Sequence, residues 1–132
     1  MGYTIFITSV GVKKKMTFNC QHEVETALEV LVGKWKLIIL SHIALNKTMR
    51  FGEFQRNIPD ITKKMLSSQL RDLEQNGIIS RTVYNQMPLK VEYTITAYGE
   101  SLKPILDSLT NWGKNHIEYM KQQENNENQI LR

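Results

Sequence analysis

Apolar positions recur with two different periods along the chain, and the changes of period divide it into elements. Val24, Ala27, Leu28, Leu31 and Val32 stand at three- and four-residue spacing, the pattern of an amphipathic helix that Gly33 ends or interrupts. Trp35 to Leu45 is apolar nearly all round, which predicts a central buried helix. After the polar turn Asn46-Lys47-Thr48, Phe51, Phe54 and Ile58 mark a short third helix. Pro59 closes it, because a residue before proline is pushed out of helical geometry. A fourth helix is predicted from Thr62 to Asn76. Leu66, Leu70 and Leu73 give it a core face, the Thr62 hydroxyl can cap its first turn, and Gly77 suits the left-handed position after its last.

The period then shortens. Ile78 to Tyr84 and Lys90 to Ile95 are β-rich runs around the turn-like Asn85-Gln86-Met87-Pro88-Leu89, which together predict a β-hairpin. Thr96 can cap a final long helix, in which Pro104 implies a kink or a break. Leu102, Ile105, Leu106, Leu109, Trp112, His116, Ile117 and Met120 form its helical stripe, and the Asn- and Gln-rich residues 121–132 are expected to fray. The first fifteen residues differ from the rest. Thr4 to Thr8 is β-branched enough for a short strand, and Gly11 with Lys13-Lys14-Lys15 breaks it. Either Met16 is the natural start or residues 1–15 are an accessory arm. The expected division is an N-terminal extension over 1–19, one domain over 20–120 and a polar tail over 121–132.

Composition narrows the class. A chain of 132 residues, 41% hydrophobic and 23% charged, has the size and balance of one soluble globular domain. The net charge is +4, and all of it resides between Lys47 and Lys90, where eight cations meet four acids. Cys20 is the only cysteine, so no disulfide can form within the chain and no cysteine zinc set exists. His22, His42 and His116 are scattered, without metal-ligand spacing. No apolar run approaches the roughly 18 residues of a membrane span. The lysine cluster follows the apolar stretch Tyr3 to Val12, the reverse of a secretory signal, so the expected location is the cytoplasm. Neither a nucleophile with its base and orienting group nor a metal set is visible, which argues against an enzyme and against a cofactor.

The last three of these helices, the final one basic on its outer face, followed by a two-stranded hairpin, give the element order of a winged helix-turn-helix. The expected fold is therefore α+β, mostly helical, with Phe51–Ile58 as supporting helix, Thr62–Asn76 as recognition helix and Arg81–Thr94 as wing. The partner this predicts is double-stranded DNA. Lys63, Lys64, Arg71 and Lys90 are the candidate phosphate contacts, with a salt slope of about −5 for some six contacts per dimer; Arg71 could equally read a base edge, and Arg50 and Arg81 are further DNA-binding candidates. Ser67, Ser68 and Gln75 are the candidates for base edges, and Thr62 belongs to the same surface. Cys20 lies close to a helix N-terminus, whose partial positive charge favours a thiolate, with His22 two residues away.

These residues also resemble the HxlR-type regulators of bacteria, relatives of the MarR-like winged-helix proteins, from about Cys20 to Trp112. The likeness is carried by the cysteine before an amphipathic helix, Gly33-Lys34-Trp35, Arg50-Phe51-Gly52-Glu53-Phe54 and the run from Ile58 to Leu66. Leu70-Arg71-Asp72-Leu73-Glu74, Gly77-Ile78-Ile79, Arg81, the run from Pro88 to Thr96 and Gly99 complete it. Gln21 and Leu89 stand where the family often has proline, and Thr62 where it usually has serine. The resemblance implies a homodimer on a palindromic operator, acting as a repressor or activator, with N- and C-terminal helices in the dimer. The stripe from Leu102 to Met120 agrees, since it is long for so small a core.

In the resembled family some members sense quinones, aldehydes or oxidants through a cysteine at this position. Cys20 is then either a sensor for a small electrophile or oxidant, or a small residue packed at the dimer junction. Two further alternatives stand beside this. One is a regulator holding a non-covalent ligand near Trp35, Tyr93 or Trp112; the other is a partner-binding module without DNA.

Overall fold

The computed structural model describes residues 7–8, 11–12, 20–31 and 33–131. They belong to two compact units, residues 1–38 and 39–132. In the first, β1 (Ile7–Thr8) pairs antiparallel with β2 (Gly11–Val12). The rest of the strand expected over Thr4 to Thr8, the lysine cluster and Met16 lie outside the described residues. The helix α1 (Gln21–Leu31) carries Glu23 in its first turn, where an acid complements the helix dipole. Its apolar stripe is largely exposed: no residue of α1 is buried, Val24 and Leu28 are more than half exposed, and Leu31 is half-buried. Gly33, at φ 98°, takes the left-handed conformation between α1 and α2 (Lys34–Asn46).

In the second unit, α2 buries Ile39, Leu40, Ile43 and Ala44 on one side. It is less enclosed than its composition predicts, because Leu45 falls on the opposite side and is 79% exposed. Lys47, at φ 71°, ends α2 in the left-handed region, its N–H donating to the Ile43 carbonyl at 2.8 Å. The turn expected at Asn46-Lys47-Thr48 continues into a strand, β3 (Thr48–Met49). It is followed by α3 (Phe51–Asn57), with Arg50 at its N-cap, and α4 (Lys63–Gln75). The hairpin strands are β4 (Ile79–Tyr84) and β5 (Lys90–Ile95). The sheet order is β3-β5-β4, all antiparallel, with Met49 and Arg81 both opposite Tyr93. Phe54, Leu66, Leu70, Leu73, Ile79 and Met49 are almost fully buried and close the core with α2. Each such side chain contributes about 1.5–3 kcal/mol through the water it leaves.

The expected final helix is two helices, α5 (Ala97–Glu100) and α6 (Lys103–Ile130). Pro104 lies in the first turn of α6, where a missing N–H costs nothing, so the break falls just ahead of it. Residues 121–130 are not frayed but continue α6. The Lys, Gln and Glu residues there are adequate helix formers, and neither proline nor glycine interrupts them after Gly113.

The chain is tied together around Ile78. The N–H groups of Gly77 and Ile78 donate back to the carbonyls of Glu74 and Leu73, closing α4 in a Schellman motif. The Ile78 carbonyl accepts the Thr96 N–H at 3.0 Å, while the Thr96 hydroxyl accepts the Gly99 N–H at 2.9 Å and caps α5. Gly99 passes so close that a Cβ there would stand 2.1 Å from the Ile78 carbonyl oxygen. On the edge of this junction the Lys47 ammonium donates to the Glu100 carboxylate.

Gly99→Ala is expected to destabilise the protein by about 1–3 kcal/mol in urea unfolding, since backbone must move to admit the methyl group. An unchanged midpoint would show that α5 does not ride this closely on Ile78. A pH dependence follows from Glu100, whose carboxyl is held below its usual range by the hydrogen bond and charge of Lys47. Its folded pKa lies below its unfolded value, so the contribution is present at neutral pH and lost as pH falls through the folded pKa. Glu100→Gln should therefore lower the thermal midpoint slightly at pH 7, and the difference should close in acid; a difference constant to pH 3 would contradict it.

Candidate nucleic-acid interface

The helix α4 is positioned by its ends. The Thr62 hydroxyl accepts the Met65 N–H at 3.1 Å and so serves the helix itself, while Asn76 and Gly77 stop it cleanly. With Leu66, Leu70 and Leu73 inward, the other flanks are determined by the 3.6-residue period. Lys64, Ser68, Arg71 and Gln75, at i, i+4, i+7 and i+11, run along the outward surface; all are exposed except Ser68, which is half-buried. Lys63 is exposed in the first turn. This helix supplies six of the ten residues expected from the sequence on one element, and Thr62 adjoins them as its cap.

A second stripe was not separated from the first by sequence reasoning. Ser67, Arg71 and Glu74, at i, i+4 and i+7, lie on the flank of α4 next to the hairpin. They line a polar cavity of about 290 Å³ with Arg81 of β4 and Tyr93 of β5. Arg81 and Tyr93 are direct cross-strand partners and share the face that carries buried Ile79 and Ile95. Alternation could have revealed this, since residues 79, 81 and 83 must share one face. Tyr93 also meets Phe54 edge-on, at 6.2 Å between ring centroids.

The two wing cations are thereby separated. Lys90 pairs with Tyr84 across the hairpin, on the other face from Arg81. It is 3.5 Å from a Glu92 carboxylate oxygen and lies over the Tyr84 ring at 5.0 Å. Arg50 is exposed at the start of α3, its N–H donating to the Glu53 side chain at 2.8 Å.

Cys20 is exposed and immediately precedes α1, with His22 exposed in the first turn. Of the expected dimer residues, Leu106 is turned the other way and buried in its own protomer, and Leu102 is half-buried. Leu106 therefore leaves the exposed set. Periodicity marks a helix face but not which part of a broad stripe the protomer's own core takes up. Ile105, Leu109, Trp112, Ile117 and Met120 are all 46% exposed or more, and His116 is exposed. Trp112 stacks on His116 at 4.9 Å, and His116 faces Tyr119 at 6.3 Å, adding an aromatic residue that the stripe omitted. Tyr93 and Trp112 line different hollows, the latter a shallow groove with Pro104, Ile105, Ser108 and Leu109. Trp35 is covered by the Lys34 ammonium, 4.6 Å from its ring. Among the described residues no helix is long and apolar enough to cross a membrane, and no three His, Cys, Asp or Glu side chains gather into a metal site.

The profile of the HxlR-like helix-turn-helix family matches residues 30–121. The chain is 55% identical over 105 residues to YtcD of Bacillus subtilis (strain 168), an uncharacterized HTH-type transcriptional regulator, covering 80% of this chain and 79% of that one. Among solved structures it is similar to the redox regulator HypR in its reduced form, with a TM-score of 0.71 and 43% identity over 76% of this chain and 98% of that chain. The quinone-bound YodB of B. subtilis is similar with a TM-score of 0.59 and 31% identity, covering 71% and 98% of the two chains.

Proposed function

The chain belongs to the HxlR-like helix-turn-helix family, a family of transcriptional regulators and not enzymes, and from that premise we propose that it binds double-stranded operator DNA as a homodimer. The observation that carries this reading is the outward stripe Lys64, Ser68, Arg71 and Gln75 on α4, following the short helix α3 that supports it. Lys63, Lys64 and Arg71 would neutralise phosphates and release counterions, while Ser67, Ser68 and Gln75 would face base edges in the major groove. Arg50, Arg81 and Lys90 would reach the flanking backbone. Two half-sites about 34 Å apart suit a symmetric dimer, and hence a palindromic operator; the action proposed there is repression of the gene beside it.

The dimer reading is supported by α6, whose exposed apolar and aromatic side chains are more than a lone helix leaves in water. Cys20 is proposed as the switch. It is exposed, it precedes a helix N-terminus, and the redox regulator HypR and the quinone-bound YodB are among the solved structures similar to this one. With one thiol per chain, the reactions open to it are a disulfide to the partner, a mixed disulfide with a small thiol, or alkylation by an electrophile such as a quinone.

Gel-shift titration against the gene's own upstream DNA should show tight binding with a salt slope of about −5, the value for some six engaged phosphate contacts per dimer. Diamide should abolish it in the wild type and leave Cys20→Ser unaffected. Binding indifferent to diamide would retire the switch; no specific binding to this or to pooled genomic DNA would sink the regulator reading. Leu109→Glu should convert a sedimenting dimer into a monomer and weaken DNA binding by roughly two orders of magnitude, as one half-site is lost. A wild-type protein that sediments as a monomer would overturn the dimer.

A further inference from the structure

The hairpin face that packs toward α4 begins apolar, with Ile79 opposite Ile95, and the next inward pair is Arg81 opposite Tyr93. The core-facing side of β4 thus carries an exposed guanidinium one pair beyond the buried Ile79. Across the gap, α4 presents Ser67, Arg71 and Glu74 instead of apolar side chains. The two elements therefore flank an open polar cleft of about 290 Å³ just beyond the packed core. That is near the small end of the range of ligand pockets, about 300–1,000 Å³, and equals roughly ten waters in volume. Neither guanidinium has a hydrogen bond or an ion pair with any described residue, although Glu74 lines the same cleft.

We propose that this cleft is a binding site for a phosphate oxyanion, held between Arg71 of α4 and Arg81 of the wing. Two forked donors from different elements match the oxygens of a tetrahedral phosphate, and an anion between them relieves the repulsion of two like charges facing one hollow. The Ser67 hydroxyl supplies a further donor on the same wall. Glu74 cancels one of the two positive charges, which leaves the cleft suited to inorganic phosphate or a small phosphate monoester instead of a polyphosphate. The site lies between α4 and the hairpin, the two parts that would contact DNA. It shares Ser67, Arg71 and Arg81 with the operator surface proposed above, but its ligand is read without DNA, so either proposal can fail alone.

The test uses the full-length reduced protein, labelled with ¹⁵N and titrated with inorganic phosphate against chloride at matched ionic strength and pH. Saturable shifts of the Ser67 and Arg81 amides and of the Arg71 and Arg81 Nε resonances are expected. Arg81→Gln should weaken phosphate binding about ten-fold, one lost charge-assisted pair. Glu74→Gln should tighten it several-fold, since it removes an opposing charge and none of the donors. Shifts that do not saturate, or that survive unchanged in Arg81→Gln, or a Glu74→Gln variant that binds no better, would overturn the site. DNA binding measured by anisotropy in phosphate and in chloride then separates the sources. If phosphate weakens wild-type binding beyond its ionic strength, the cleft is where a backbone phosphate sits. If the cleft saturates while DNA binding is unmoved, it serves a free phosphate.

Discussion

The backbone of Ile78 is the point on which the second unit depends. Its N–H closes α4, its carbonyl accepts from Thr96, and Gly99 lies against that carbonyl with no room for a side chain. A helix end, the first residue of a strand and a helix start are therefore locked within a few ångströms. Such short-range constraints settle direction: once α4 ends in the Schellman turn, β4 must leave at one angle, and β5 returns to deliver Thr96 to the same place. The position of the wing beside α4 and the departure of α5 both follow from this junction.

That junction also explains why the cleft is polar. Near Ile78, where α4 adjoins the hairpin, Leu73, Ile79 and Ile95 are all buried. Further along, the hairpin extends beyond the reach of the core, and its inward face meets a helix flank already turning toward solvent. An apolar pair there would be half wet. Arg81 and Tyr93 suit that environment, because each joins an apolar body to a polar end. Val83, the next inward residue of β4, is 46% exposed, which shows how quickly the enclosure is lost.

The helices α1 and α6 stand in contrast to this interior. Each carries apolar side chains at helical spacing, and each leaves most of them exposed. Only Leu106 of the α6 stripe is buried in the protomer. Over 28 residues, roughly 42 Å at 1.5 Å per residue, α6 is longer than any other element described. Surfaces of this kind are costly in water and are consistent with the proposed second copy.

Local chemistry made much of this architecture legible in the sequence. The span of α4 from cap to cap was evident in Thr62, the leucine spacing and Asn76-Gly77, because caps and periodicity act within a turn or two of helix. Pro59 ended α3, and Thr96 opened the last helical segment, for the same reason. What depended on distant partners was not legible. The strand at Thr48–Met49 exists because β5 offers it a free edge, and two residues have no pattern of their own. The separation of Arg81 from Lys90 rests on cross-strand register, and the burial of Leu106 on what α6 packs against. The tail read as frayed because its composition is polar, whereas a helix already nucleated extends at the cost of one residue at a time. The sequence by itself determined the helices up to Gln75, the hairpin, their order and the basic stretch that carries the net charge. Which side chains share a surface was decided only by tertiary structure, because that depends on residues brought together from far apart in the chain.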